Sequence, residues 1–156
     1  MKSVRGHEDY DPCIQQYFTK YLNIQDVQLS IHAELCKWAP RGAIQYSLDD
    51  VHSSTVPVLQ ELVTNATSKA WRKVIFSGDY DAACPFPGTQ KIVHCLGLPV
   101  KNDYHQWDVD GQFAGTMINY DGIDYATVHG TGHMVPWYTP KLAYEFYSRW
   151  LSGKNL

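Results

Sequence analysis

The stretch Thr127-Val128-His129-Gly130-Thr131-Gly132-His133-Met134-Val135-Pro136 decides how the chain is read. The run Ala126-Thr127-Val128 has the character of a strand and enters a Gly-Thr-Gly turn. Glycines at this spacing let the backbone leave a strand sharply and adopt positive φ. His133 is then delivered at a loop tip and not on the face of an element. Histidine is the side chain best suited to take and return a proton near neutral pH. The competing reading is a glycine-rich turn with an incidental histidine.

A second stretch supplies context. Val74-Ile75-Phe76-Ser77-Gly78-Asp79-Tyr80-Asp81 is a short apolar run stopped by a glycine and two carboxylates. It predicts a buried strand in a mostly parallel sheet. Residues at the carboxyl ends of such strands are where α/β folds place their chemistry. A carboxylate at Asp81 is suited to fix the tautomer of His133 and to stabilise its imidazolium form. Asp79 reads as a turn residue or as a support behind that pair. For both aspartates the alternative is ordinary Asx-turn chemistry.

These motifs carry a family resemblance. Tyr10-Asp11-Pro12-Cys13, Tyr21-Leu22-Asn23-Ile24-Gln25-Asp26-Val27-Gln28, Ser77-Gly78-Asp79-Tyr80-Asp81 and Gly130-Thr131-Gly132-His133-Met134-Val135-Pro136 occur in that order. Together they resemble the C-terminal part of a serine carboxypeptidase, the group containing cathepsin A and the plant and yeast vacuolar carboxypeptidases. The resemblance implies an α/β fold, the C-terminal portion of an α/β hydrolase with a β-meander leading into the catalytic histidine loop. It implies that residues 1–156 are part of a single such domain; read from the chain itself, residues 1–10 are the one candidate for a loose segment. It maps the catalytic aspartate to Asp81 and the catalytic histidine to His133. Aspartate before histidine is the order of α/β hydrolases, in which the nucleophile comes first.

The rest of the chain is consistent with that expectation. Its 156 residues suit one domain or part of a larger one. The 44% hydrophobic and 13% aromatic shares are enough to build a core. A net charge of −3 gives no sign of a nucleic-acid or membrane surface. No run of about 18 apolar residues exists to span a bilayer. Met1–Glu8 is polar and does not read as a signal peptide; under the resemblance any such signal lies upstream.

Asp11-Pro12 predicts a helix start, with Tyr17, Tyr21 and Leu22 at helical spacing. A short helix follows, with Val27, Leu29 and Ile31 expected inside, then a loop over Cys36–Gly42. Ser53-Ser54-Thr55 caps a helix to about Thr64 with Val58, Leu59, Leu62 and Val63 inward and Pro57 in its first turn. Trp71 to Phe76 is the strand that leads to Asp81. Thr89 to Leu96 is a helix stopped by Gly97. Asp110-Gly111 and Asp121-Gly122 are hairpin turns joining strands near 104–109, 112–120 and 123–129. Thr139-Pro140 opens a last helix carrying Leu142, Ala143, Phe146 and Trp150, closed by Gly153.

Asn65-Ala66-Thr67 is an N-glycosylation sequon; its alternative is a helix C-terminus with Asn65 in the left-handed region. Four cysteines allow three internal pairings. The resemblance implies that Cys13 and Cys36 each bond a cysteine outside this chain. It also places Cys84 where some family members keep a free thiol near the triad. A Cys84–Cys95 bridge and four reduced cysteines remain alternatives.

No serine lies on a Gly-x-Ser-x-Gly elbow, so the chain is expected to hold two members of a triad and no nucleophile. The chain then reads either as the small chain of a two-chain enzyme or as a C-terminal fragment made separately. For the first, the implied partner is a large N-terminal chain bearing the serine, disulfide-linked, and the implied substrates are peptides that lose C-terminal residues at acidic pH. Met134 maps to the pocket for the departing residue and predicts a hydrophobic preference; loop packing is its alternative. No cofactor or metal is expected: His94 and His105 lack ligand spacing, and His129 and His133, at i and i+4, sit across glycines and not on a helix. The implied location is lysosomal, vacuolar or secreted. Acyltransferase or hydroxynitrile-lyase chemistry on the same scaffold, or a non-catalytic protective partner, are the rival functions.

Overall fold

Two compact units, Asp9–Ser53 and Ser54–Leu156, make up the fold and are described separately. The computed structural model describes residues 11, 13–40, 45–154 and 156. The expected loose segment 1–10, Pro12 and the Arg41-Gly42 end of the cysteine loop lie outside the described residues.

The first unit holds α1 (Ile14–Tyr21), α2 (Gln25–Ser30) and α3 (Leu48–His52). Asp11 accepts from the Cys13 N–H at 2.8 Å, an Asx-type turn, and α1 begins only at Ile14 without a side-chain cap. The expected burial of Leu29 and Ile31 is not found: both are exposed. Apolar residues two apart cannot share one face of a helix. Gln28 is the buried residue of α2. Its Nε2 donates to the Leu22 and Cys36 carbonyls at 2.7 and 2.8 Å, and its Oε1 accepts from the Cys36 N–H at 3.0 Å. Asn23 holds Trp38 in the same two-way manner, at 2.9 Å each way. α3 was not expected from sequence; Ser47 caps it by accepting from the Asp50 N–H at 3.1 Å.

The second unit holds α4 (Val56–Thr64), α5 (Ala66–Lys69), β1 (Val74–Gly78), α6 (Phe86–His94), β2 (Val100–Val109), β3 (Gln112–Tyr120), β4 (Ile123–Val128), α7 (Val135–Tyr138) and α8 (Pro140–Ser152). The sheet order is β1-β4-β3-β2. β2, β3 and β4 form the expected antiparallel meander, while β1 pairs parallel with β4 from Val74↔Asp124 to Gly78↔Val128. Asp110 and Gly111 both have positive φ, 53° and 71°, as a two-residue hairpin turn demands.

Successive side chains along each strand point to opposite faces, and most of β3 and nearly all of β4 are buried because both faces are covered. One face gathers Trp107, Met117, Ala126 and Val128 against Leu142 and Phe146 of α8. The other gathers Ile118, Ile123 and Tyr125 against Val63 of α4 and Val93 of α6. Gly115 makes room for this packing. A side chain there would meet the Thr127 carbonyl and the Trp107 indole, whose Nε1–H donates to that carbonyl at 3.0 Å.

Some expected details shift. α6 begins at Phe86, three residues early, and β2 at Val100, four early. α7 was not expected. Val58 and Leu62 are exposed, because α4 turns Val56, Leu59 and Val63 inward and leaves the 58/62 stripe outside. Asn65 has φ −62° and ψ 132°, not the left-handed conformation. Gly153, at φ 72°, closes α8 with its own N–H on the Trp150 carbonyl and the Lys154 N–H on that of Arg149.

Candidate active site

Because β1 and β4 run parallel, Gly78 and Val128 end side by side, and the loops that follow them leave the sheet together. The ladder continues past the strands. The Asp79 N–H donates to the Val128 carbonyl at 3.1 Å, and the Tyr80 N–H to that of Thr131 at 3.0 Å. Gly78 permits this approach: a Cβ there would lie 2.8 Å from the Thr131 carbonyl carbon and closer still to the carbonyl oxygens of Thr131 and Gly132.

This arrangement sets His133 Nδ1 3.0 Å from Asp81 Oδ2. The Asp81 side chain is only 6% exposed, whereas that of His133 is 61% exposed. The other carboxylate oxygen of Asp81 accepts the N–H groups of Ala83 and Cys84 at 2.8 and 3.0 Å. The Cys84 N–H, then the bond from His133, then the Ala83 N–H hold the Asp81 carboxyl below its ordinary value, against burial, which pushes it up. An ionised carboxylate accepts only, so the proton of neutral His133 sits on Nδ1 and Nε2 is the basic nitrogen. Chemically this is a base whose ring is oriented and whose imidazolium form would be stabilised from behind.

A second aspartate–histidine pair links the same two loops. Asp79 Oδ2 is 2.6 Å from His129 Nδ1, and Asp79 Oδ1 accepts the Gly130 N–H at 2.7 Å. His129 also packs against Phe113, with ring centroids 4.9 Å apart. Asp79 thus ties the start of the histidine loop to the end of β1. The sequence reading gave Asp79 a supporting place and gave His129 none. The signal was present: two aspartates two apart face two histidines four apart across a parallel strand pair.

Among the described residues one group could offer donors to a metal ion, namely Asp81, Cys84 and His133, with ligand atoms within 4.8 Å of one another. Both Asp81 oxygens are already engaged by N–H donors and by His133. Hydrogen bonding alone therefore accounts for the cluster. Met134, next to His133, is exposed. Cys13, Cys36, Cys84 and Cys95 are all free and exposed thiols, so no bridge joins Cys84 to Cys95. Asn65 is exposed between α4 and α5.

A meander flowing into a histidine loop, with an aspartate and a histidine meeting at the carboxyl ends of parallel strands, is an arrangement that the α/β-hydrolase fold accommodates. Residues 1–153 match the family model described as serine carboxypeptidase. The chain belongs to the serine carboxypeptidase family. It is 36% identical over 152 residues to serine carboxypeptidase 24 of Arabidopsis thaliana, covering 94% of this chain and 32% of the relative. Serine carboxypeptidase-like 33 of the same plant is 34% identical over 160 residues, covering 99% and 33%. Serine carboxypeptidase-like 26 of Oryza sativa subsp. japonica is 33% identical over 160 residues, covering 98% and 32%. The chain therefore spans about a third of the length of the curated relatives it matches. Among the described residues no helix is long and apolar enough to cross a membrane.

Proposed function

We propose that this chain supplies the aspartate and histidine of a Ser-Asp-His triad in a serine carboxypeptidase, and that a partner segment, corresponding to the N-terminal part of its relatives, supplies the serine. The observation that carries this reading is the 3.0 Å contact between the covered carboxylate of Asp81 and Nδ1 of the exposed His133 ring, which makes Nε2 its basic nitrogen. In the mechanism His133 takes the proton of the partner's serine as that oxygen attacks the scissile carbonyl. It then gives a proton to the departing amine, while Asp81 holds the ring and its charge. The lowered Asp81 value keeps that carboxylate ionised into acidic solution, where the reading places the enzyme.

Two features support a partner segment. Among the described residues β1 pairs only with β4, so its other edge offers unpaired backbone groups. Beside that edge lies a hollow of about 490 Å³ lined by Phe76, Val135, Tyr144 and Tyr147 among others, where further strands and helices of a larger hydrolase domain would pack. Cys13 and Cys36, both exposed thiols, are the positions proposed to bond that segment. Met134 is proposed to line the pocket for the departing residue and to favour apolar ones. The reading also places the enzyme in a lysosome or vacuole, or outside the cell.

The test is release of the C-terminal residue from N-blocked dipeptides by the chain joined to its partner segment. Release at acidic pH that His133→Ala abolishes is expected. Release that survives His133→Ala, or none from the intact assembly, would remove the proposal.

A further inference from the structure

A groove of about 310 Å³ opens beside α4 and α5, away from the Asp81–His133 pair in sequence and made of different elements. Val58, Leu62 and Trp71 give it apolar walls, and Glu61 and Thr67 add polar points. Its apolar members face solvent: Val58 is 58% and Trp71 59% exposed. An indole flanked by two aliphatic side chains is an apolar patch whose burial against a suitable surface is favourable. Asn65 lines the same groove. Its Oδ1 accepts the Thr67 N–H at 2.9 Å, which fixes the amide with its oxygen toward the chain. Nδ2, the atom to which an N-linked sugar is joined, is the other end of that amide.

We propose that Asn65 carries an N-linked glycan and that the proximal N-acetylhexosamine of this glycan lies in the groove against Trp71. The occupant follows from the tether: a sugar joined to a residue of the groove's own wall meets that wall at high effective concentration, so weak contacts suffice to hold it. The chemistries match. A pyranose ring presents a face of C–H groups to an indole, its acetamide methyl suits Val58 and Leu62, and Glu61 can accept from a hydroxyl or the acetamide N–H. The covalent step is transfer from a lipid-pyrophosphate-linked oligosaccharide. The sugar C1–O bond breaks, the C1–Nδ2 bond forms, the lipid pyrophosphate leaves with the electron pair, and Nδ2 gives up one proton. The inference is independent of the triad, and its readout is not activity.

The experiment expresses the chain with its partner segment through the secretory pathway of a eukaryotic cell behind a heterologous leader. Peptide mass spectrometry then reads Asn65, and a peptide N-glycosidase is applied to native protein. A glycan on Asn65 that Thr67→Ala removes is expected. Release from native protein should be slow, should rise about tenfold in Trp71→Ala, the scale of one aromatic contact, and should stay near the original rate in Trp71→Phe. After denaturation all three should release alike. Val58→Asp, at an exposed position in the same wall, serves if Trp71→Ala does not fold, and should also speed release. An unmodified Asn65, or equal native release from the original protein and these groove variants, would overturn the proposal.

Discussion

Replacing Gly78 by alanine tests the idea that the site is made by bringing two loops into backbone contact. The added Cβ would sit 2.8 Å from the Thr131 carbonyl carbon, about 0.6 Å inside the 3.4 Å at which ordinary contact begins, and nearer still to two carbonyl oxygens. Nothing flexible lies there to yield, since every one of these atoms is backbone. The Thr131–Gly132 segment must move away from β1, and it carries His133. The strain of such overpacking is about 1–3 kcal/mol. The effect on rate should be larger than that stability loss implies, because a misplacement of about 1 Å in a reacting group costs roughly 10²-fold. Thermal denaturation and kcat/KM on a blocked dipeptide, measured on the chain with its partner segment, read the two effects separately. A variant that keeps both its melting temperature and its turnover would refute the reasoning.

Four further outcomes follow from the same geometry. Asp81→Asn keeps the shape but offers His133 the wrong hydrogen-bonding partner; kcat should fall by about 10⁴, and a loss of less than tenfold would show that Asp81 does not orient the base. Met134→Glu should shift relative turnover from apolar toward Lys or Arg C-terminal residues; unchanged ratios would detach Met134 from specificity. Trp107→Phe removes the buried donor to the Thr127 carbonyl and should destabilise by about 1–3 kcal/mol, read as a lowered midpoint in denaturant; an unchanged midpoint would show that bond to be dispensable. Because the folded-state value of Asp81 is lowered, its ionisation stabilises the fold at pH above its ordinary 3.8, and that contribution is lost as pH falls through the lower value. The acid limb of the stability profile should thus be steeper than in Asp81→Asn, and parallel limbs would contradict this.

What the sequence revealed follows from how locally each feature is determined. The three strands of the meander were legible because the two Asp-Gly pairs between them are local turn signals, and the structure places Asp110 and Gly111 at positive φ as the first of those turns requires. The neighbourhood of Asp81 and His133 was legible through two motifs, although their contact depends on β1 pairing parallel with β4, which no local pattern specifies. Gln28 was missed because its burial depends on bonds to Leu22 and to Cys36, outside its own helix. The outward turn of Val58 and Leu62 was missed because the α4 sequence has more apolar residues than one face can bury. The Asp79–His129 pair was missed because its members meet only once the two loops are brought together.

The most direct test of the central claim is fluorophosphonate labelling of the chain assembled with its partner segment, with the labelled peptide mapped by mass spectrometry. The account predicts label on a serine outside these 156 residues, lost in His133→Ala although the protein remains folded. Label on a serine within this chain, or label that persists in His133→Ala, would contradict it.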